Sequence, residues 1–232
     1  MISEETRINV EEELKKLSKE AERISLISDF TEFFECLKRL LNDIDNKEKY
    51  ENLINDVILK LIYNDYISFY FLLEFYNILK NHNLEKSYEN IIAIRLAKLF
   101  PRYKNITNED MEILEIDLKN LTSSSRELSE KFVKVFVPMV IYDAINTVYN
   151  WIRNPNKNQE VSYFLTIVKI LKELELHDYA KDGIELFKNT LKLHEPKIEK
   201  LIKRRMKNEN LKRETATLIE ILEDRRFYKY LL

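Results

Sequence analysis

Across 232 residues this chain contains a single glycine and four prolines. Glycine enters left-handed turns without steric cost, and sandwiches, barrels, phosphate loops and dinucleotide folds use it at their tight connections. With so little of it, the architecture that survives is all-α, with turns built on Asn, Asp and Lys. Apolar residues recur at helical spacing along nearly the whole sequence, which predicts ten to eleven antiparallel helices. They are placed near residues 4–25, 29–44, 47–63, 65–81, 85–100, 107–121, 125–153, 158–176, 179–193, 196–208 and 212–230. Short connections between them imply a helical bundle or an irregular HEAT-like stack of helix pairs. At this length a core can bury most of its apolar surface without a disulfide or a metal.

Capping chemistry sets the expected helix starts. Asp29 with Glu32, Thr107 with Asp110 and Ser124 with Glu127 each have the spacing that satisfies two orphaned amides, and Pro196 suits a first helical position. Pro101 and Pro155 read as stops. The hydroxyl-rich run "NLTSSSRE", residues 120–127, reads as a linker between two helical subdomains, 1–122 and 126–232, with "RNPNKNQE" at 153–160 as the second choice.

Two segments are apolar nearly all round and are expected at the centre of the structure: residues 65–80, and the stretch from Lys131 to Trp151, which Pro138 should bend. Residues 57–79 form the most apolar run. Lys60, Asn64, Asp65, Ser68 and Glu74 interrupt it below the roughly 18 to 20 clean residues of a bilayer crossing, so no membrane role is expected. Cys36 is the lone cysteine and lies on an apolar helical face, where it should be buried and inert. A single thiol without a secretory leader fits a cytoplasmic setting.

Charge is unevenly spread. Residues 1–60 carry fifteen acids against ten bases, whereas 195–232 carry seven against eleven. Within "KIEKLIKRRMKNENLKR", Ile198, Leu201, Ile202 and Met206 share one helical face, and Lys197, Lys200, Lys203, Arg204 and Lys207 share the opposite one, with Lys212 and Arg213 following. These seven residues are the candidate nucleic-acid contacts. Arg205 projects into the apolar face and needs a carboxylate partner or an edge position; Glu220, Glu223 and Asp224 are the nearest acids expected to serve. At the other end, Val10, Leu14, Leu17, Ala21 and Ile24 form a narrow seam that serves either a second chain or the body of the same one.

Other constellations are weaker. His177 and Asp178 resemble the "HD" pair of the all-helical HD phosphohydrolases over those two residues only, and the order of His82 and His194 does not supply the family's remaining ligands. Asp178 reads instead as a helix N-cap and His177 as a favourable charge at the preceding C-terminus. Asp143, Asn146, Thr147 and Asn150 form a polar strip that reads as an exposed helix side. Residues 91–121, "IIAIRLAKLFPRYKNITNEDMEILEIDLKNL", resemble the helix, break and acid-capped helix of the GINS replication subunits, but the small β-domain of those proteins has no counterpart and no functional residue transfers.

No nucleophile with a positioned base, metal-ligand spacing or phosphate cradle is found, so no catalytic residue, metal or cofactor is assigned. The expectation is a non-catalytic helical scaffold or protein-interaction module with a protein partner or self-association. The runner-up is a nucleic-acid-binding or replication-associated accessory protein using residues 197–213.

Overall fold

The computed structural model of the chain describes residues 4–103 and 106–232, with side chains from residue 10 onward except that of residue 177. Among these residues there are twelve α-helices and no strand. The chain divides into two compact units at Phe100 and Pro101. The hydroxyl run expected as the linker therefore lies inside the second unit. There it is the tight connection between two helices, with Ser125 capping the next helix through the Leu128 amide.

The first unit contains α1 (Glu4–Arg23), α2 (Ile27–Asp43), α3 (Glu51–Ile62), α4 (Phe69–Asn81) and α5 (Glu89–Leu99). Its side-chain contacts fix the direction of each helix. Ser18 on α1 meets Asp56 on α3, and Asn64 just beyond α3 meets the carbonyl of Ile24 just beyond α1, so these helices run parallel. Phe30 stacks on Phe71 and Phe34 on Phe75, which makes α2 and α4 parallel too. Tyr88 with Asn55 and Arg95 with the Asn64 carbonyl align α5 with α3. The result is a two-layer stack of helix pairs, α1, α3 and α5 in one layer and α2 and α4 in the other.

The second unit contains α6 (Asn108–Ser124), α7 (Arg126–Arg153), α8 (Ser162–Glu173), α9 (His177–Lys192), α10 (Glu195–Arg205), α11 (Lys212–Leu222) and the short α12 (Arg225–Tyr228). Its spine is α7 packed along α9: the Lys134 ammonium lies over the Tyr179 ring, and Tyr149 meets His194. The chain's one glycine, Gly183, sits midway along this contact. A Cβ there would come within 2.8 Å of Ile141 Cδ1 and 3.0 Å of Val137 Cγ1, so any side chain would have to push these two aside. The three left-handed positions among the described residues, Asn83, Glu175 and Glu223, are all filled without glycine. Asn83 and Glu175 close α4 and α8, with Leu84 N–H donating to Leu79 and Leu176 N–H to Leu171.

Several expected boundaries move. Thr107 and Asp110 form the full capping box, and Pro196 lies in the first turn of α10. Asp29 falls inside the first turn of α2 and Asp178 inside that of α9, so neither is a cap. The cap before α7 is Ser125, one residue beyond Ser124. The final helix breaks at Glu223 and restarts with Asp224 capping α12. α7 is continuous through the exposed Pro138.

The apolar run at 57–79 is split between α3 and α4 by the turn at 63–68. One described helix, α7, is long and apolar enough to cross a membrane by length and composition. Eleven of its residues are buried, and α6, α8, α9 and α10 pack against it, as around a core helix. Cys36 is half-buried rather than buried, with the Arg39 guanidinium 3.5 Å from its sulfur.

Candidate interaction surfaces

The N-terminal seam is not open to a second chain. Leu14, Leu17, Ala21 and Ile24 are buried, Val10 is half-buried, and the face they form is the one α1 turns to α3. Lys60 reinforces the contact, donating to Ser18 at 2.9 Å and lying 3.3 Å from Asp56. The Ser18 hydroxyl and Lys60 hold the Asp56 carboxyl below its usual value, the Ser18 bond being the larger effect. Of the two destinations the spacing allowed, the helix takes the fold-back.

Where α1 turns into α2 and α3 into α4, the stack shows a different surface. Asn64 donates to the Ala21 and Ile24 carbonyls at 2.8 and 3.0 Å and accepts from Tyr66 N–H, which ties the two turns together. Around this buried tie, Leu26, Ile27, Tyr63, Tyr66 and Tyr70 stand 61–76 % exposed. Isolated exposed apolar residues are ordinary, but five on two adjoining turns make a patch. Tyr66 and Tyr70 belong to the apolar segment 65–80 expected at the centre, and the structure corrects that expectation: the segment's first turn and one side of α4 face outward.

The basic stripe on α10 is partly neutralised. Lys203 pairs with Glu199 at 2.7 Å and Lys212 with Glu209. Lys197, Lys200, Arg204, Lys207 and Arg213 form no ion pair among the described residues, and all five are exposed. Arg205 does point inward, but none of the three expected acids receives it. Its side chain is fully buried, with the guanidinium 4.0 Å above the Trp151 ring. It donates to Thr215 Oγ1 at 3.1 Å and, through Nη1, to the carbonyls of Pro155 and Lys157 at 3.0 and 2.8 Å. Burial brings its pKa down to about 10, and the nearby buried Glu214 opposes the shift. Glu214, which directly follows the basic run in the first turn of α11, is not among the acids expected to serve Arg205.

The polar strip on α7 is more than a solvated side. Asp143, Asn146, Thr147 and Asn150 line a cleft of about 640 Å³, closed by Arg102, Tyr103 and the loop before α8. Arg102 holds Asp143 at 3.2 Å, and Thr147 Oγ1 donates to the Asp143 carbonyl. Tyr163 donates to the Pro101 carbonyl, and burial pushes its hydroxyl well above the usual range, so it stays protonated. No histidine or cysteine is among the described residues lining it. Both carboxylates that line it are engaged, Asp143 by Arg102 and Glu160 by the Ser162 hydroxyl, beside the amides of Asn146, Asn150, Asn158 and Gln159.

Among the described residues, no group of three or more His, Cys, Asp or Glu side chains is placed to hold a metal. Asp178 is exposed in the first turn of α9, and the His177 side chain lies outside the described residues. No protein-family model, curated protein or solved structure matches the chain. Functional assignment therefore rests on these surfaces.

Proposed function

We propose that the chain is a non-catalytic interaction module that meets a protein partner through the turn edge of its first unit. The observation that carries this reading is the exposed group Leu26, Ile27, Tyr63, Tyr66 and Tyr70, mounted on turns that Asn64 locks together. Tyrosine offers a large, stiff contact area with a polar tip, so it loses little entropy when covered and suits the centre of an interface. The anchoring matters as much as the exposure: a patch on rigid, hydrogen-bonded turns is pre-organised for a partner. The alternative of a catalytic cleft has less support, since Asp143 and Tyr163 are both engaged.

The test is the triple variant Ile27→Ser, Tyr66→Ser, Tyr70→Ser, compared with the parent by affinity capture from source-cell extract and by sedimentation velocity. All three side chains are exposed, so helix content should be unchanged. The expected result is a defined protein partner, or a dimer, present with the parent and lost with the variant. A parent that stays monomeric and retains nothing, or a variant that retains the same partner, overturns the reading.

A further inference from the structure

Taken along α10 alone, the basic stripe is an ordinary solvated helix face. The tertiary structure adds two things. First, the two acids of α10 are already engaged: Glu195 is bound by Arg226 of α12, and Glu199 by Lys203, so Glu199 cancels that one stripe lysine and no other. The face comprising Lys197, Lys200, Arg204 and Lys207 keeps its charge. Second, buried Arg205 holds the backbone of the 154–158 loop against α10 through the Pro155 and Lys157 carbonyls. Arg153, just before that loop and not ion-paired among the described residues, lines a recess together with Lys197 and adds a cation at the head of the stripe.

At the head of the stripe is an open recess of about 330 Å³ lined by Tyr149, Ile152, Arg153, His194 and Lys197. Its floor is a ring and an aliphatic side chain, its rim carries two cations, and no carboxylate lines it. The His194 ring stands edge-on to Tyr149, with centroids 5.3 Å apart. From Lys197 to Lys207 the stripe continues for about 15 Å along the helix axis.

We propose that this recess and stripe bind single-stranded nucleic acid. One unpaired base lies against Tyr149 and Ile152, and the following phosphates run along Lys197, Lys200, Arg204 and Lys207, with Arg153 across the recess from Lys197. A flat apolar floor rimmed by cations matches a nucleotide, which joins a π-face to a phosphate. An acidic peptide would use the cations and leave the floor empty. A duplex keeps its base faces stacked, and the recess has room for one base rather than a double helix.

The test is fluorescence anisotropy with labelled oligo-dT and oligo-U of about twenty nucleotides and a duplex of equal length, across a salt series. Both single strands should bind more tightly than the duplex, with log K falling against log salt at a slope of roughly −3, as four or five phosphate contacts give. Arg153→Glu, Lys197→Glu, Arg204→Glu together should weaken binding more than about tenfold. Tyr149→Ala should weaken it about tenfold without changing the salt slope, and Tyr149→Phe should restore it. Folding of each variant is checked by far-UV dichroism and by the fluorescence of the single tryptophan, Trp151, in the same unit.

No binding at low salt, equal binding by the triple-glutamate variant, or a duplex bound at least as tightly overturns the proposal. So does an acidic peptide that displaces the oligonucleotide from the parent and from Tyr149→Ala alike. The turn-edge variant of the first unit should bind the oligonucleotides as the parent does, so the two surfaces succeed or fail separately.

Discussion

Each unit uses one buried polar side chain to hold a turn in place, and the two solve the problem differently. In the first, Asn64 is neutral: its amide nitrogen serves two carbonyls at the end of α1, its amide oxygen takes the Tyr66 N–H, and its own carbonyl takes Arg95. In the second, Arg205 is charged. It makes three hydrogen bonds and stacks on Trp151, yet Arg205 Nη2, Glu214 Oε2 and Trp151 Nε1 have no hydrogen-bond partner within the protein. A buried amide matched by its acceptors carries little penalty, whereas a buried guanidinium with an incomplete shell stays expensive. The first unit thus holds its turns with a neutral amide whose nitrogen and oxygen are both bonded, leaving only Arg95 Nε beside it without a partner within the protein. The second holds its loop with a group that is costly to bury and more costly to remove in part.

This contrast should break most visibly at Arg205. Arg205→Ala leaves Glu214 buried without its compensating charge and opens space over Trp151. It should destabilise the second unit by about 3–5 kcal/mol in urea unfolding followed by tryptophan fluorescence. Replacing both charges, Arg205→Met with Glu214→Gln, should recover most of that loss, because no uncompensated charge is then left buried. If the double variant is no more stable than Arg205→Ala, the cost lies in losing the tie to the 154–158 loop.

A smaller effect is expected at Asn64. Asn64→Ala strands the carbonyls of Ala21 and Ile24 and the amide of Tyr66, for a loss of about 2–3 kcal/mol. Hydrogen exchange should show it, with faster exchange at the end of α1 and in the 63–68 turn and no change in α7 or α9. Exchange that accelerates equally in both units would mean that they do not respond as separate bodies.

The smallest expected effect is at Gly183. Alanine gains about 1 kcal/mol of helix propensity. It also pushes into Ile141 and Val137, and overpacking of this kind costs about 1–3 kcal/mol. Val137 is stiff at χ1 and cannot rotate away freely. The net prediction is a loss of about 1 kcal/mol, read by urea unfolding; a stabilised Gly183→Ala would show that the α7–α9 contact has slack.

Much of the fold is legible in the sequence because it is local. Eleven helical segments were placed from periodicity, and each corresponds to an observed helix, the last one divided at Glu223. The Thr107–Asp110 box was found because its partners lie three residues apart. Boundaries drifted where a longer-range contact intervened. Asn158, Gln159 and Glu160 fall within the helix expected at 158–176, but the structure holds them in the loop that walls the large cleft.

The surfaces were less legible for the same reason. Periodicity identifies which face of α1 is apolar, but only α3 shows that this face is already occupied. The polar strip on α7 becomes a cleft wall only when Arg102 and the pre-α8 loop arrive from distant parts of the chain. Tyr66 and Tyr70 read as core residues of the apolar segment 65–80, and what groups them at the surface with Leu26 and Ile27 is the Asn64 tie between turns some forty residues apart in sequence.

By itself the sequence determined that this protein is built from α-helices, roughly where each begins and ends, and which stripe of each is apolar. Those properties depend on hydrogen bonds and side-chain spacings within a few residues, and a chain so short of glycine has few other backbone options. The tertiary structure decided which apolar stripes meet each other, why the one glycine lies between α7 and α9, and which charges stay free once their neighbours are paired. These depend on distances between residues far apart in the chain, which no local pattern encodes.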